Sequence, residues 1–239
     1  MNCKMGLSKK DVLAVLCCAV FVLAGFGAVG GSGRRRAKEM VCAANLKGWG
    51  QVLFAFAGDN HGYFFDRSYA AGWHLSLAPY YTNRKLLLCP EATKAYSEGG
   101  VNPYAAWEAE DDYDIYRGSY TVNLWIADAY DERYWHRPVV GGASNVPLML
   151  DGQWKDMEPY PSDVPPMYEG DIWSPHINEM RRACVNRHSG LNAVFMDGSV
   201  RKIGLKHLWV QRWYRGWEED LAQTGFPVWP AWMADFPEP

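Results

Sequence analysis

The apolar positions of this chain fall into several patterns, each predicting a different element. Residues 12–31, VLAVLCCAVFVLAGFGAVGG, carry no charge, and a helix of ~20 apolar residues matches the ~30 Å of a bilayer's hydrocarbon core. This run predicts a transmembrane helix over 12–31, preceded by an N-terminal tail or leader, 1–11. Beyond the basic stretch Arg34–Lys38, the positions Met40, Val41, Leu46, Trp49, Val52, Leu53 and Phe56 recur mostly at three- and four-residue steps. That spacing continues the helix in amphipathic form over 32–58, with Gly58, Asp59 and Asn60 stopping it.

The middle of the chain is punctuated rather than periodic. Trp73 to Tyr80 suggests a short helix, while Lys85 to Cys89 reads as a buried strand stopped by Pro90. Ser119–Trp125 and Val146–Leu150 have strand composition. The acids of Glu108–Asp114 form a solvated loop without the spacing of a calcium loop, and the proline-rich stretch from Asp156 to Pro175 is irregular. Two alternating runs, Leu191–Met196 and Ser199–Ile203, flank Asp197-Gly198. Asp-Gly between such runs predicts a hairpin with a type I′ turn. Trp209, Trp213 and Trp217 then repeat at four-residue intervals, predicting a C-terminal helix over 204–222.

A histidine, His188, stands before that hairpin, with eight residues separating it from Asp197. His188 followed by a hairpin ending in Asp197-Gly198 resembles the prepilin-type His-X9-Asp-Gly domain proteins, a pseudopilin-like group of the type II secretion and type IV pilin-like family. The N-terminal part is similar too: an apolar helix running into an amphipathic one, then Cys42, Asn45-Leu46 and a closing Asp59-Asn60-X-Gly62-Tyr63. The resemblance covers both ends of the chain. It implies an α+β, pilin-like fold in which a long N-terminal helix, first transmembrane and then amphipathic, packs on a small antiparallel sheet, with the exported domain spanning 32–239 and its hairpin module spanning 187–203.

Prepilins are cut after a glycine, and here cleavage after Gly6 makes Leu7 the first residue and Asp11 the fifth. Lys9 and Lys10 occupy positions that are apolar in the prepilin pattern, so an uncleaved anchor is the competing reading. Lys4, Lys9 and Lys10 precede the apolar run and Arg34, Arg35, Arg36 and Lys38 follow it, so flanking charge selects no orientation. The resemblance implies a cytoplasmic N-terminus, a single pass through the inner membrane and a periplasmic or extracytoplasmic domain. In an oxidising compartment Cys42 and Cys89 are candidates for a disulfide, leaving Cys184 free; three unpaired buried thiols are the alternative.

Composition changes the picture in two places. A net charge of −3 gives no pull toward nucleic acid, so none is expected as a partner, and the basic collar suits lipid headgroups. The 12 tryptophans are either core filler or a sugar-stacking surface. No HExxH, Gly-X-Ser-X-Gly or phosphate-loop pattern occurs. No catalytic residue, cofactor or metal site is therefore expected. His188 is assigned an orienting hydrogen bond and Asp197 its turn. The expected function is structural: a membrane-anchored, pseudopilin-like protein that contacts lipid and assembles with itself or other pseudopilins through its N-terminal helix. The alternative is an anchored module that binds carbohydrate or another ligand through Trp and Tyr.

Overall fold

The computed structural model describes the backbone of residues 9–110, 114–138, 141–173 and 178–239, without the side chains of 9–15, 19–30 and 69–71. Gly6 and Leu7, and with them the expected cleavage point, lie outside the described residues, as does the side chain of Asp11.

Helix α1 spans Lys9–Asp59. The chain divides into two compact units, Met1–Lys38 and Glu39–Pro239. The first holds the N-terminal part of α1, where Arg34, Arg35 and Arg36 are exposed. The expected transmembrane anchor is corrected here. Among the described residues no helix is long and apolar enough to cross a membrane, so single-pass anchoring in an inner membrane is not supported.

The second unit is α+β, as expected, but its sheets are mixed rather than purely antiparallel. A five-stranded sheet has the order β6-β4-β5-β7-β8, built from Tyr120–Asn123 (β4), Pro147–Asp151 (β5), Asp156–Met157 (β6), Leu191–Phe195 (β7) and Val200–Ile203 (β8). β4, β5, β7 and β8 pair antiparallel, and the short β6 joins β4 in parallel. A second sheet joins Lys94–Ala95 (β1), Ala105–Glu110 (β2) and Ile115–Gly118 (β3), with β1 parallel to β2. The central strands β4, β5 and β7 are buried along their whole length, including the polar Thr121, Asn123, Asp151 and Asn192.

The amphipathic half of α1 buries Cys42, Leu46, Trp49, Leu53 and Ala57 in the core, while Met40 and Val41 face solvent. Gly50 permits close approach to the sheet: a Cβ there would lie 2.8 Å from Val194 Cγ2. The helix ends as its sequence suggests. His61 adopts φ +55° and the Gly62 amide donates to Ala57 O at 2.7 Å, the long backbone bond of a Schellman-type cap. Asn60 adds a side-chain bond to Tyr63 O.

Three local expectations are corrected. The hairpin forms, with Leu191 opposite Ile203 and Val194 opposite Val200, but its turn is not type I′. Gly198 has φ +77°, whereas Asp197 is not among the residues with positive φ. The Gly198 amide bonds Phe195 O and the Phe195 amide bonds Ser199 O, a three-residue loop of type I turn plus left-handed glycine. Asp197 stabilises it by accepting from the Ser199 amide and hydroxyl at 2.8 and 2.6 Å.

Residues 85–89 are not a strand, because Arg84–Leu87 is a 3₁₀ turn capped by Asn83. Its carbonyls are claimed by side chains of α1: Trp49 Nε1 donates to Leu86 O at 2.7 Å and Asn45 Nδ2 to Leu88 O at 2.9 Å.

The continuous helix over 204–222 is replaced by a 3₁₀ turn at Lys206–Val210 and a short helix, α3, at Trp217–Thr224. Between them tertiary partners take the backbone groups. The Arg212 amide goes to Asn145 O, and Trp213 O accepts from Asn123 Nδ2 and Trp135 Nε1. Trp209, Trp213 and Trp217 are nonetheless fully buried. The short helix expected over 73–80 is α2, Trp73–Ser76, followed by a 3₁₀ turn at Ala78–Tyr80.

Two buried carboxyls between β6 and β7 make stability depend on pH. Burial pushes the Asp163 carboxyl up to about 6, although it accepts hydrogen bonds from the Met180 and Tyr160 amides. Burial likewise raises Glu179 to about 7. A carboxyl whose folded pKa is raised binds its proton more tightly in the native state, so its contribution falls as pH rises from about 4 through the folded value. Asp163→Asn, which keeps an acceptor for Met180, is expected to be relatively more stable than wild type at pH 7.5 than at pH 4.5. A tenfold difference in proton affinity between folded and unfolded chains corresponds to about 1.4 kcal/mol. Urea unfolding at the two pH values checks it, and an unchanged difference between the proteins refutes the assignment.

Candidate metal centre

Four side chains from four segments meet inside the second unit. Cys42 comes from the buried stripe of α1, Cys89 follows the 3₁₀ turn, Asp151 ends β5 and His188 precedes β7. The donor atoms of these four residues lie within 4.8 Å of one another. Cys89 Sγ is 3.2 Å from His188 Nε2, Cys42 Sγ is 3.3 Å from Asp151 Oδ1, and His188 Nε2 is 3.9 Å from Asp151 Oδ2. Cys42, Cys89 and Asp151 have no exposed surface and His188 has 2%.

Each ligand is held in place by its neighbours. The Cys89 amide donates to Ser119 Oγ at 2.6 Å, and Asn45 holds the carbonyl just before it. Asp151 Oδ2 accepts from the Asn192 amide at 2.8 Å. His188 is aimed inward by a tight turn in which Ser189 and Gly190 have φ +56° and +126°, and the His188 amide bonds Gly190 O. Beside it the buried Arg187 guanidinium donates to Pro103 O, Ser119 O, Ala105 O and Gly152 O, with Nη1 3.9 Å from Asp151 Oδ1.

The electrostatics follow from burial and these contacts. A hydrogen bond from Cys42, against the opposing effect of burial, brings Cys89 down to about 4, with His188 and Arg187 adding to the fall. Burial drives the Cys42 thiol up. Burial and the charge of Cys89 raise Asp151 to about 7. Burial pulls His188 down, but the Cys89 contact and the Asp151 charge more than offset it, so His188 is raised. The pairing of thiolate and imidazole resembles a cysteine nucleophile with its base. No face of this pair is open to a substrate.

The expected disulfide between Cys42 and Cys89 is corrected. Both are free and buried, as is Cys184, which is the alternative of three unpaired thiols; Cys42 hydrogen-bonds Asp151 and Cys89 meets His188 in one shared cluster. No metal ligands were expected from the sequence, and the structure brings Cys42, Cys89, Asp151 and His188 close enough together to hold an ion. Cys42, Cys89 and His188 were each legible as notable residues, but Asp151 carried no signal beyond ending the apolar run VPLML. His188 sits at one end of β7 and Asp197 at the other, so they are not partners. Asp197 and Gly198 lie at the hairpin tip, where Lys47 Nζ of α1 donates to Gly198 O at 2.6 Å. Asn45 flanks the cluster, whereas Asn60 and Gly62 serve the end of α1.

A shallow groove of about 830 Å³ runs beside the cluster, lined by Val41, Asn45, Gly48, Tyr81, Leu88 and Pro90 among others. Comparison with models of protein families, with curated proteins and with solved structures returns no match.

Proposed function

We propose that the chain is a pilin-like structural subunit, of the kind found in type II secretion and type IV pilus-like assemblies, and that it associates with itself or related subunits through the N-terminal part of α1. The observation carrying this reading is that the separate sequence segments bearing the resemblance pack around one helix. Cys42 and Asn45 of α1 reach the Cys89 segment, Lys47 reaches the Asp197-Gly198 turn, and His188 closes on Cys42 and Cys89 through the shared cluster. The closed cluster suits a structural role better than a catalytic one.

The sugar-binding alternative finds less support. Trp49, Trp73, Trp125, Trp209, Trp213 and Trp217 are spent in the core, and Trp173, 70% exposed, is the tryptophan most open to solvent among the described residues. In the sequence, Ala24, Gly27 and Gly30 are small enough to let apolar helices approach closely. Sedimentation of the full chain in mild detergent is expected to give oligomers, and the pair Gly27→Leu with Gly30→Leu is expected to dissociate them. A wild-type chain that stays monomeric at every concentration overturns the reading.

A further inference from the structure

We infer that Cys42, Cys89, Asp151 and His188 form a closed, structural zinc site that ties α1 to the Cys89 segment, to the end of β5 and to the turn before β7. The inference goes beyond the subunit reading and stands independently of it.

The donor set is that of tetrahedral zinc: two thiolates, an imidazole and a carboxylate. Zn–S bonds of about 2.3 Å and Zn–N or Zn–O bonds of about 2.0–2.2 Å place ligand atoms roughly 3.3–3.8 Å apart in a tetrahedron. Taking Asp151 Oδ2 as the carboxylate ligand, Cys42 Sγ lies 3.5 Å and His188 Nε2 3.9 Å from it, and Cys89 Sγ is 3.2 Å from His188 Nε2, all within about 0.1 Å of that range. Two soft sulfurs argue against magnesium and calcium, which take oxygen ligands, and a set of two cysteines, one histidine and one aspartate matches neither the four-cysteine nor the two-cysteine, two-histidine ligation of iron–sulfur clusters. All four ligands come from protein and none is exposed, which is the closed arrangement of a structural centre rather than a catalytic one with an open position.

Two further observations point to a cation here. Two thiolates and one carboxylate are balanced by a divalent ion together with the Arg187 guanidinium, whose Nη1 is 3.9 Å from Asp151 Oδ1; the bound site is then neutral with His188 uncharged. Binding requires both cysteines as thiolates and His188 as the neutral imidazole, so the protons these groups hold between them without the metal pass to solvent. Second, Asn192, whose backbone amide donates to Asp151 Oδ2 at 2.8 Å, carries beside the cluster a buried side-chain amide, Nδ2, that has no hydrogen-bond partner. A zinc-bound thiolate at Cys42 is a stronger acceptor than a thiol and gives that amide its use. His188, joined to the cluster through Nε2, keeps Nδ1 buried as its second nitrogen.

The test uses the full chain, purified without a histidine tag and equilibrated with zinc. Elemental analysis is expected to find about one zinc per chain, as four protein ligands demand. Cobalt exchange should give the visible bands of a tetrahedral ion with sulfur-to-metal charge transfer. Cys89→Ser should lower zinc content at least tenfold, and Asp151→Asn, which better preserves packing, should weaken zinc retention against a chelator at least tenfold. Cys184→Ser, whose sulfur is buried elsewhere, should leave the content unchanged. Folded, reduced wild-type chain that takes up neither zinc nor cobalt overturns the inference. So does a Cys42–Cys89 disulfide in chain isolated without reductant. Neither outcome bears on self-association, which sedimentation reads separately.

Discussion

Replacing Arg187 with methionine is expected to destabilise the second unit by roughly 4 kcal/mol or more, the range for breaking a buried charge pair. Arg187 is 4% exposed and donates to four carbonyls contributed by the segments around Pro103, Ala105, Ser119 and Gly152. Methionine fills the space of the stem but leaves those acceptors short of donors, at a cost of about 1–3 kcal/mol for each that finds no replacement. It also removes the guanidinium charge 3.9 Å from Asp151. Arg187→Lys is expected to recover only part of the loss, since a compact ammonium cannot reproduce the planar fork. Equilibrium urea unfolding measures both, and a loss below about 1 kcal/mol for the methionine variant contradicts this account.

Trp49→Ala is expected to cost about 3–5 kcal/mol, the usual range for emptying a buried aromatic site. Trp49 has no exposed surface and meets Trp73 and Tyr81 edge-on, with ring centroids 5.3 and 4.9 Å away. Its indole N–H also holds Leu86 O, so the substitution should loosen the segment that presents Cys89 as well as leave a cavity. Two readouts separate these effects: thermal unfolding reports the cavity, and thiol reaction of native protein reports access to Cys89. Trp173→Ala, at a site 70% exposed, serves as the control and should change stability by no more than about 0.5 kcal/mol. Equal losses for the two variants contradict the packing described here.

Both residues show where local pattern ends. Trp49 is legible from the three- and four-residue spacing along α1, because a helix repeats on itself and its buried face is written in neighbouring positions. Arg187 is not legible. Its four acceptors lie 35 to 84 residues away in the chain, and nothing local distinguishes it from a surface arginine beside a turn.

The same division runs through the whole molecule. Alternation and turn residues determined the hairpin of β7 and β8 and the end of α1, since each depends on contacts between near neighbours, and strand composition marked β4 and β5. The apolar run at 12–31 determined an expectation of membrane crossing that the described residues do not support. Only the tertiary structure decided that the 85–89 segment turns rather than extends and that the 204–222 stripe breaks over residues 211–216. In both places backbone carbonyls bond to distant side chains instead of to their own helix or strand. It also decided the site. Cys42, Cys89 and His188 stand out in the sequence for separate reasons, but their meeting with Asp151 follows from the strand order β4-β5-β7 and the packing of α1 on it. Such long-range pairings are set by the whole core and not by any one stretch of chain.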